Sequence, residues 1–227
     1  MKKTMTSRHM LWLVLSLVIV GIFAFGVGTN CCQTGELAPS EVREYEGADL
    51  SSINDFRENS IAGPQEINVE NYNLEITGLV TNSTRYSYDE VLNKYQHYKK
   101  VVTLDCVEGW SVTILWEGVL VKDLLEEAGP LANAGVVIFH AYDGYTTSLP
   151  IDYIINNDIL MAYKMNDVVL PLERGFPFQL VAESKWGYKW VKWITEIEVS
   201  GDASYRGYWE SRGYSNSADL DKSFFGD

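Results

Sequence analysis

A single cysteine stands between two apolar, β-branched runs, and this arrangement constrains the fold more than any other part of the sequence. The first run, from Val101 to Leu104, leads into Cys106, and a second run starts at Val112 after a turn that contains Gly109. Apolar runs separated by a glycine turn are typical of paired β-strands. We therefore expect the Cys106 thiol at the end of a strand, as a packed core residue, a nucleophile or a metal ligand.

The composition indicates a folded and strongly acidic protein. The chain has 227 residues, of which 46% are hydrophobic and 13% aromatic, which suits one domain with a substantial core and some extensions. The formal net charge of −13 argues against nucleic-acid binding, because contacts to phosphates need a basic surface. The cysteines at 31, 32 and 106 give no disulfide framework, since the adjacent pair is too strained to bridge.

An apolar segment near the N-terminus predicts a membrane anchor. Lys2, Lys3 and Arg8 precede an uncharged run from Met10 to Gly28, and its length of about 19 residues is close to what a bilayer-spanning helix needs. We expect residues 1–30 to make a single pass at the cell membrane, with the rest of the chain on the extracytoplasmic side. Cleavage of this segment as a signal peptide, followed by secretion, is the alternative.

The rest of the chain predicts an α+β domain that is mostly β-structure. Alternating patterns predict strands around Tyr72–Val80, Val136–Phe139, Phe178–Val181 and Trp190–Val199, and helical spacing predicts short helices after Ser87 and from Leu120 to Ala128. Strands and helices do not alternate regularly, so the fold is not a doubly wound sheet. We expect residues 31–53 to be a linker, 54–200 the domain, and 201–227 an aromatic-rich extension packed on it.

Positive charge gathers in one part of this acidic sequence. Arg174, Lys185, Lys189 and Lys192 lie close together and are interleaved with glycine and aromatic residues. One interpretation is a solvated strand whose lysines point outward and whose aromatic rings point inward. The other is an anion site for a phosphorylated, planar cofactor, walled by the aromatic rings. The residues alone leave both open.

Several segments, taken in order, resemble the molybdopterin-binding domain of the sulfite oxidase family. They are Asp105–Ser111, Trp116–Val119, Leu124–Gly129, Asp143–Tyr145 with Leu149-Pro150, Leu160–Asn166, Arg174–Pro177 and Gly187–Ile194. Within this family, the Cys106 loop is most similar to that of the periplasmic methionine-sulfoxide reductase catalytic subunits. The resemblance runs from about Asn54 to about Ser200.

The resemblance implies one molybdenum–molybdopterin cofactor per chain, with Cys106 as the thiolate ligand of the metal. It implies that Tyr145 is catalytic and hydrogen-bonds the transferred oxygen. Further cofactor contacts are implied for Phe56, Arg57, Asn59, Asp143, Arg174, Gln179, Trp190, Val191 and Lys192, the last three on a strand. The family typically has an arginine at the position of Gln179, so this chain lacks a positive charge there.

The implied function is two-electron oxygen-atom transfer by an extracytoplasmic molybdenum oxidoreductase. The Cys106 loop favours reduction of an S-oxide or N-oxide, and the alternative is oxidation of sulfite. The expected partners are a small oxo-donor or oxo-acceptor substrate and a separate electron carrier, such as a membrane haem protein, but no nucleic acid. A cofactor-free binding module on the same fold is the alternative from another class.

Overall fold

Two five-stranded sheets carry the fold in residues 40–226, the part of the chain that this computed structural model describes. The strands are β1 (Glu44–Tyr45), β2 (Ala48–Asp49), β3 (Leu74–Gly78), β4 (Thr84–Tyr86), β5 (Tyr98–Asp105), β6 (Ser111–Leu120), β7 (Val136–Ala141), β8 (Thr146–Pro150), β9 (Leu160–Met165), β10 (Val168–Val169), β11 (Gln179–Val181) and β12 (Ile194–Ser200). The helices are α1 (Tyr88–Lys94), α2 (Val121–Ala128) and α3 (Ile151–Asn156), and 3₁₀ turns span Leu172–Arg174, Gly187–Lys189 and Glu210–Arg212. The predicted mostly-β, α+β class is confirmed.

The first sheet holds the cysteine hairpin. Its strands follow the order β10–β9–β6–β5, and β11 also pairs with β9. β5 and β6 pair antiparallel from Tyr98 with Gly118 to Asp105 with Ser111, so the predicted turn joins two long strands. Ile114 and Trp116 on β6 are completely buried, because this strand packs against the core.

The second sheet joins early and late parts of the chain. Its order is β4–β3–β12–β7–β8, with β12 parallel to β3 and antiparallel to β7. The alternation predicted for the first of these strands is present, since Leu74 and Ile76 are fully buried while Glu75 and Thr77 are not. Ile197 on β12 and Phe139 on β7 are buried beside them.

The two predicted helices are present and begin and end for the expected reasons. Ser87 caps α1 in a reciprocal capping box with Glu90, and Gly129 ends α2 in the left-handed conformation. The short helix α3 was not predicted, because its six residues include isoleucine at three positions, a composition typical of strands.

The strand predicted from Trp190 to Val199 begins only at Ile194. A 3₁₀ turn occupies Gly187–Lys189, and Trp193 has a positive φ of 53°, which a strand residue cannot adopt. The implied placement of Trp190, Val191 and Lys192 on a strand is therefore wrong. These residues form an irregular connection between the turn and β12.

Part of the segment predicted as a linker, residues 31–53, contacts the domain. The hairpin of β1 and β2 lies within it, and the backbone N–H of Ser51 donates to Thr113 of β6 at 2.8 Å. In the C-terminal extension, the Tyr205 hydroxyl donates to Thr146 of β8 at 2.9 Å. In the part of the chain that the structure describes, no helix has both the length and the apolar character needed to cross a bilayer. The predicted anchor, Met10–Gly28, lies outside the described residues.

Candidate functional site

A cavity of about 250 Å³ lies where the β5–β6 turn of the first sheet approaches the β7–β8 turn of the second. Every residue for which the family resemblance implied a catalytic role or a cofactor contact contributes to its lining. These residues are Phe56, Arg57, Asn59, Cys106, Asp143, Tyr145, Arg174, Gln179, Trp190, Val191 and Lys192. The structure therefore brings together in one place residues that are spread over most of the domain.

Cys106 is the first residue after β5 and belongs to the tight β5–β6 turn. Its backbone N–H donates to the carbonyl of Trp110 at 2.9 Å, and its own carbonyl accepts from Gly109 at 3.0 Å. The thiol is free and only 8% of the residue is exposed. Burial raises the pKa of the thiol above its ordinary value.

Gly187 lets the segment before β12 lie directly against the cysteine strand. A Cβ at this position would come within 3.2 Å of the Asp105 carbonyl oxygen and within 3.6 Å of the Cys106 Cα. The absence of a side chain at Gly187 therefore fixes how closely this segment, with Trp190 and Lys192, approaches the thiol.

One side of the cavity carries three cations, Arg57, Arg174 and Lys192, which we call the cationic wall. Arg174 donates to the Phe56 carbonyl at 3.2 Å and its guanidinium lies 4.7 Å from the centre of the Phe56 ring. Among residues 40–226, neither Arg57 nor Arg174 forms an ion pair with a carboxylate. Both guanidinium groups thus keep donors available for an anion.

Lys192, the third cation of this wall, pairs with Glu58 at 2.9 Å. Burial lowers the pKa of Lys192. Burial acts to raise the pKa of Glu58, but the hydrogen bond and the charge of Lys192 outweigh it, and the pKa is lowered overall. The carboxylate of Glu58 therefore stands beside the ammonium as an anion, although Glu58 itself does not line the cavity.

Gln179, at the start of β11, presents an unpaired polar atom to the same cavity. The residue is 3% exposed, and its Oε1 has no hydrogen-bond partner in the described part of the chain. A buried amide oxygen without a partner is costly unless a ligand supplies the donor. This observation points to a polar group of a bound molecule next to β11.

Aromatic rings form another side of the cavity, and we call Tyr145, Tyr188, Trp209 and Tyr214 the aromatic wall. Tyr145 donates its hydroxyl proton to the carbonyl of Tyr188, and burial raises the pKa of Tyr145 well above its ordinary value. The rings of Tyr188 and Tyr214 meet edge to face with centres 5.2 Å apart. Tyr188 belongs to the lysine-rich segment whose rings were expected to wall a cofactor. The aromatic tail was expected to pack on the domain, but nothing in the sequence indicated that Trp209 and Tyr214 line the cavity.

Both interpretations of the lysine-rich segment need correction. The side chains of Lys185 and Lys189 are 9% and 0% exposed, so they do not form a solvated face. They pair with Asp219 and Glu210, respectively, and neither belongs to the cavity lining. Of the four cations in the predicted anion site, only Arg174 and Lys192 reach the cavity.

The residues present fit a sulfur-ligated molybdenum cofactor that carries an anionic group. Cys106 offers one soft donor, the cationic wall offers charge for a phosphate, and Gln179 offers an unsatisfied acceptor to a polar ring.

Comparison with known proteins gives the family. Residues 61–209 match the family described as oxidoreductase molybdopterin binding domain. The chain is 35% identical over 144 residues to the uncharacterized oxidoreductase YuiH of Bacillus subtilis (strain 168), a match covering 63% of this chain and 72% of that protein. It is 30% identical over 145 residues to the protein-methionine-sulfoxide reductase catalytic subunit MsrP of Gluconobacter oxydans (strain 621H), over 56% of this chain and 46% of that protein.

A solved structure shows the same fold. The sulfane dehydrogenase SoxCD from Paracoccus pantotrophus superposes with a TM-score of 0.59 at 21% identity, over 62% of this chain and 41% of that chain. This chain spans less than half the length of both SoxCD and the Gluconobacter protein. The family match, the fold and the cysteine-centred cavity agree, and the cofactor-free binding module is not supported. This chain belongs to the oxidoreductase molybdopterin-binding domain family and is a molybdopterin-dependent oxidoreductase.

Proposed function

We propose that this protein is an extracytoplasmic oxidoreductase that transfers an oxygen atom together with two electrons, in the direction of S-oxide or N-oxide reduction. The observation that carries the proposal is the buried Cys106 thiol, which opens to a cavity that also contains the cationic wall. A soft donor beside unpaired guanidinium groups suits a metal cofactor with a phosphate tail.

In this proposal the protein binds and orients the cofactor with separate groups. When bound, the molybdenum cofactor supplies a metal that exchanges two electrons and gives or takes an oxygen atom. Cys106 holds the metal from the end of β5, while Arg57, Arg174 and Lys192 hold the phosphate. Gln179, whose Oε1 lacks a partner within residues 40–226, accepts a hydrogen bond from the ring system. Asn59 lies close to the Cys106 thiol and orients it.

Tyr145 is the proposed hydrogen-bond donor to the oxygen of the substrate. Its pKa is raised by burial, so it keeps its proton at neutral pH, and it shares the cavity with Cys106. Its hydroxyl must leave the carbonyl of Tyr188 to make this contact. Reduction of a sulfoxide consumes two electrons and two protons and releases a thioether and water.

Two observations bear on the direction of the reaction. Relatives named as methionine-sulfoxide reductase catalytic subunits, from Gluconobacter oxydans and Pseudomonas syringae, support reduction of a sulfoxide. The second candidate is oxidation of sulfite: if Arg174 and Lys192 alone hold the cofactor phosphate, the exposed Arg57, which forms no ion pair with a carboxylate in the described part of the chain, is available to a small anion. In both cases the electrons pass through a separate carrier.

The decisive experiment measures molybdenum and pterin in the purified protein and then tests substrates. Sulfoxides and N-oxides are offered with a reduced viologen, and sulfite with an oxidising dye. We expect sulfoxide or N-oxide reduction to exceed sulfite oxidation. Fast sulfite oxidation without sulfoxide turnover selects the second candidate, and turnover of none of these compounds contradicts the proposal.

The role of Cys106 is tested in the same assay with Cys106→Ser. Serine is a harder and less covalent donor than cysteine, so turnover should fall by at least about 100-fold while pterin stays bound through the cationic wall. The control is Val137→Thr, which places a hydroxyl at another buried position, on β7 and outside the cavity. A Cys106→Ser protein with wild-type absorption spectrum and turnover would overturn the assignment.

We also propose that residues 1–30 anchor the protein in the cell membrane with the domain on the extracytoplasmic side. The positive flank of Lys2, Lys3 and Arg8 before the apolar run supports this orientation. Protease added to intact spheroplasts should digest the domain, as it does a known surface protein. Full protection of the domain, with digestion only after lysis, contradicts the proposed location.

A further inference from the structure

The aromatic wall is built in part by residues at the edge of the family match or beyond it. The match ends at Trp209, and Tyr214 follows it, yet both side chains line the cavity that contains Cys106. Both residues are partly exposed, so their rings stand where a substrate can reach them. The segment of the chain that carries them is therefore a candidate for selecting the substrate.

A fully buried ion pair holds this segment in place. Lys189 Nζ lies 2.6 Å from Glu210 Oε1, and both side chains are 0% exposed. Lys189 also donates to the carbonyl of Ser148 at 3.0 Å, and Thr147 donates to Glu210. The pair therefore joins the C-terminal segment to β8, directly next to Trp209.

Ring packing fixes the wall from the cavity side. Trp209 and Tyr214 have ring centres 5.1 Å apart, and Tyr214 lies 5.2 Å from Tyr188. The Tyr188 hydroxyl donates to the carbonyl of Ser215 at 2.8 Å, which ties the segment back to the turn beside Cys106. Because the rings support one another, their faces are held in place before any ligand arrives.

The chemistry of this wall differs from that of the cationic wall. Flat rings stabilise an apolar or aromatic substituent by burial and by stacking, and they offer little to a small, hydrated anion. We propose that Trp209 and Tyr214 are specificity-determining residues that favour sulfoxides with an aryl substituent over small dialkyl sulfoxides, with Glu210 as the residue that positions them. This inference rests on the proposed sulfoxide reduction.

The test compares two substrates on the cofactor-loaded enzyme, methyl phenyl sulfoxide and dimethyl sulfoxide, with reduced methyl viologen as the electron donor. Trp209→Ala and Tyr214→Ala should each raise KM for methyl phenyl sulfoxide by about tenfold, because a stacking surface is lost. KM for dimethyl sulfoxide should change by less than about twofold, since one methyl group reaches few of the lost atoms. The readout is the ratio of the two KM values, which a general loss of activity would leave unchanged.

Binding without turnover gives a second readout. Calorimetric titration with methyl phenyl sulfone, which has the same aryl group, should show a Kd that weakens in parallel with KM. The matched control is Tyr205→Ala, which removes an aromatic ring from the same segment, but one that does not line the cavity. This control should leave the ratio of the two KM values unchanged.

The outcomes separate the inference from the proposed function. Equal changes of KM for both sulfoxides, or no change for either, reject the assignment of the wall while leaving sulfoxide reduction intact. A wild-type enzyme that reduces neither sulfoxide rejects the proposed function itself. If Trp209→Ala fails to fold or loses its molybdenum, Trp209→Leu keeps much of the volume without the flat face. A rise of KM confined to methyl phenyl sulfoxide then supports the inference, and its absence rejects it.

Discussion

The cationic wall and the aromatic wall of the cavity differ in how deeply their lysine–glutamate ion pairs are buried. Lys192, on the cationic wall, pairs with Glu58, and the two side chains remain 14% and 33% exposed. Lys189, which supports the aromatic wall, pairs with Glu210, and both side chains are 0% exposed. Lys192 is mostly buried but its partner Glu58 is partly exposed, so the ammonium can exchange this carboxylate for the phosphate of a ligand. Lys189 is buried together with Glu210, so separating the two would leave an uncompensated charge in the protein interior.

The largest effect expected from this difference is on stability, with Lys189→Met. Removal of the ammonium leaves the Glu210 carboxylate buried without its partner, which should lower the free energy of unfolding by about 3–5 kcal/mol. Chemical denaturation measures this value. The double variant Lys189→Met/Glu210→Gln removes both charges and should recover a large part of the loss, because no buried charge remains.

Lys192→Met is the matched control, since it makes the same substitution on the other wall. Its free energy of unfolding should stay within about 1 kcal/mol of the wild-type value, because a partly exposed ion pair contributes little. The pterin content after purification should fall instead, while Lys189→Met protein that remains folded keeps its pterin. If Lys192→Met is the less stable variant and retains full pterin, the division between the two walls is wrong.

The smallest effect is expected from Glu58→Gln. The amide can still accept a hydrogen bond from Lys192, but it no longer competes as an anion for the ammonium. We expect wild-type stability and a pterin content, after dialysis against high salt, that equals or exceeds that of the wild type. Glu66→Gln removes a charge from an exposed side chain elsewhere and is the control. A loss of pterin in Glu58→Gln would mean that Glu58 positions Lys192 for the ligand.

The parts of the fold that local pattern determines were predictable from the sequence. The alternation before Gly78, the cap at Ser87 and the glycine turn after Cys106 depend on neighbouring residues, and each is found where expected. The proposed site residues also lie around one cavity. That prediction depended on an ordered set of motifs. No local pattern indicates that Phe56 and Lys192 line the same cavity.

The predictions that failed depend on contacts between distant residues. Lys189 looks like a surface lysine in sequence, and only the approach of Glu210, together with the Ser148 carbonyl, makes its burial possible. The same applies to the segment from Trp190 to Trp193, whose alternation suggested a strand. Its backbone bonds instead to β11 and to Gly175, so that Val191 accepts from Leu180 and the N–H of Trp193 donates to the Gly175 carbonyl. Trp209 and Tyr214 were missed because nothing near them in sequence indicates a cavity.

The central position of β12 has a consequence for the order in which the protein folds. This strand lies between β3 and β7, and Glu196 pairs with Glu75 across most of the domain sequence. Pairings between residues so far apart form slowly, because closing a long loop costs chain entropy before any contact forms. Until β12 is inserted, β3 and β7 each present an open edge, and the Gly187–Trp193 connection that precedes β12 is not held against Cys106. We therefore expect the cavity to be assembled late, after both of its supporting sheets have begun to form.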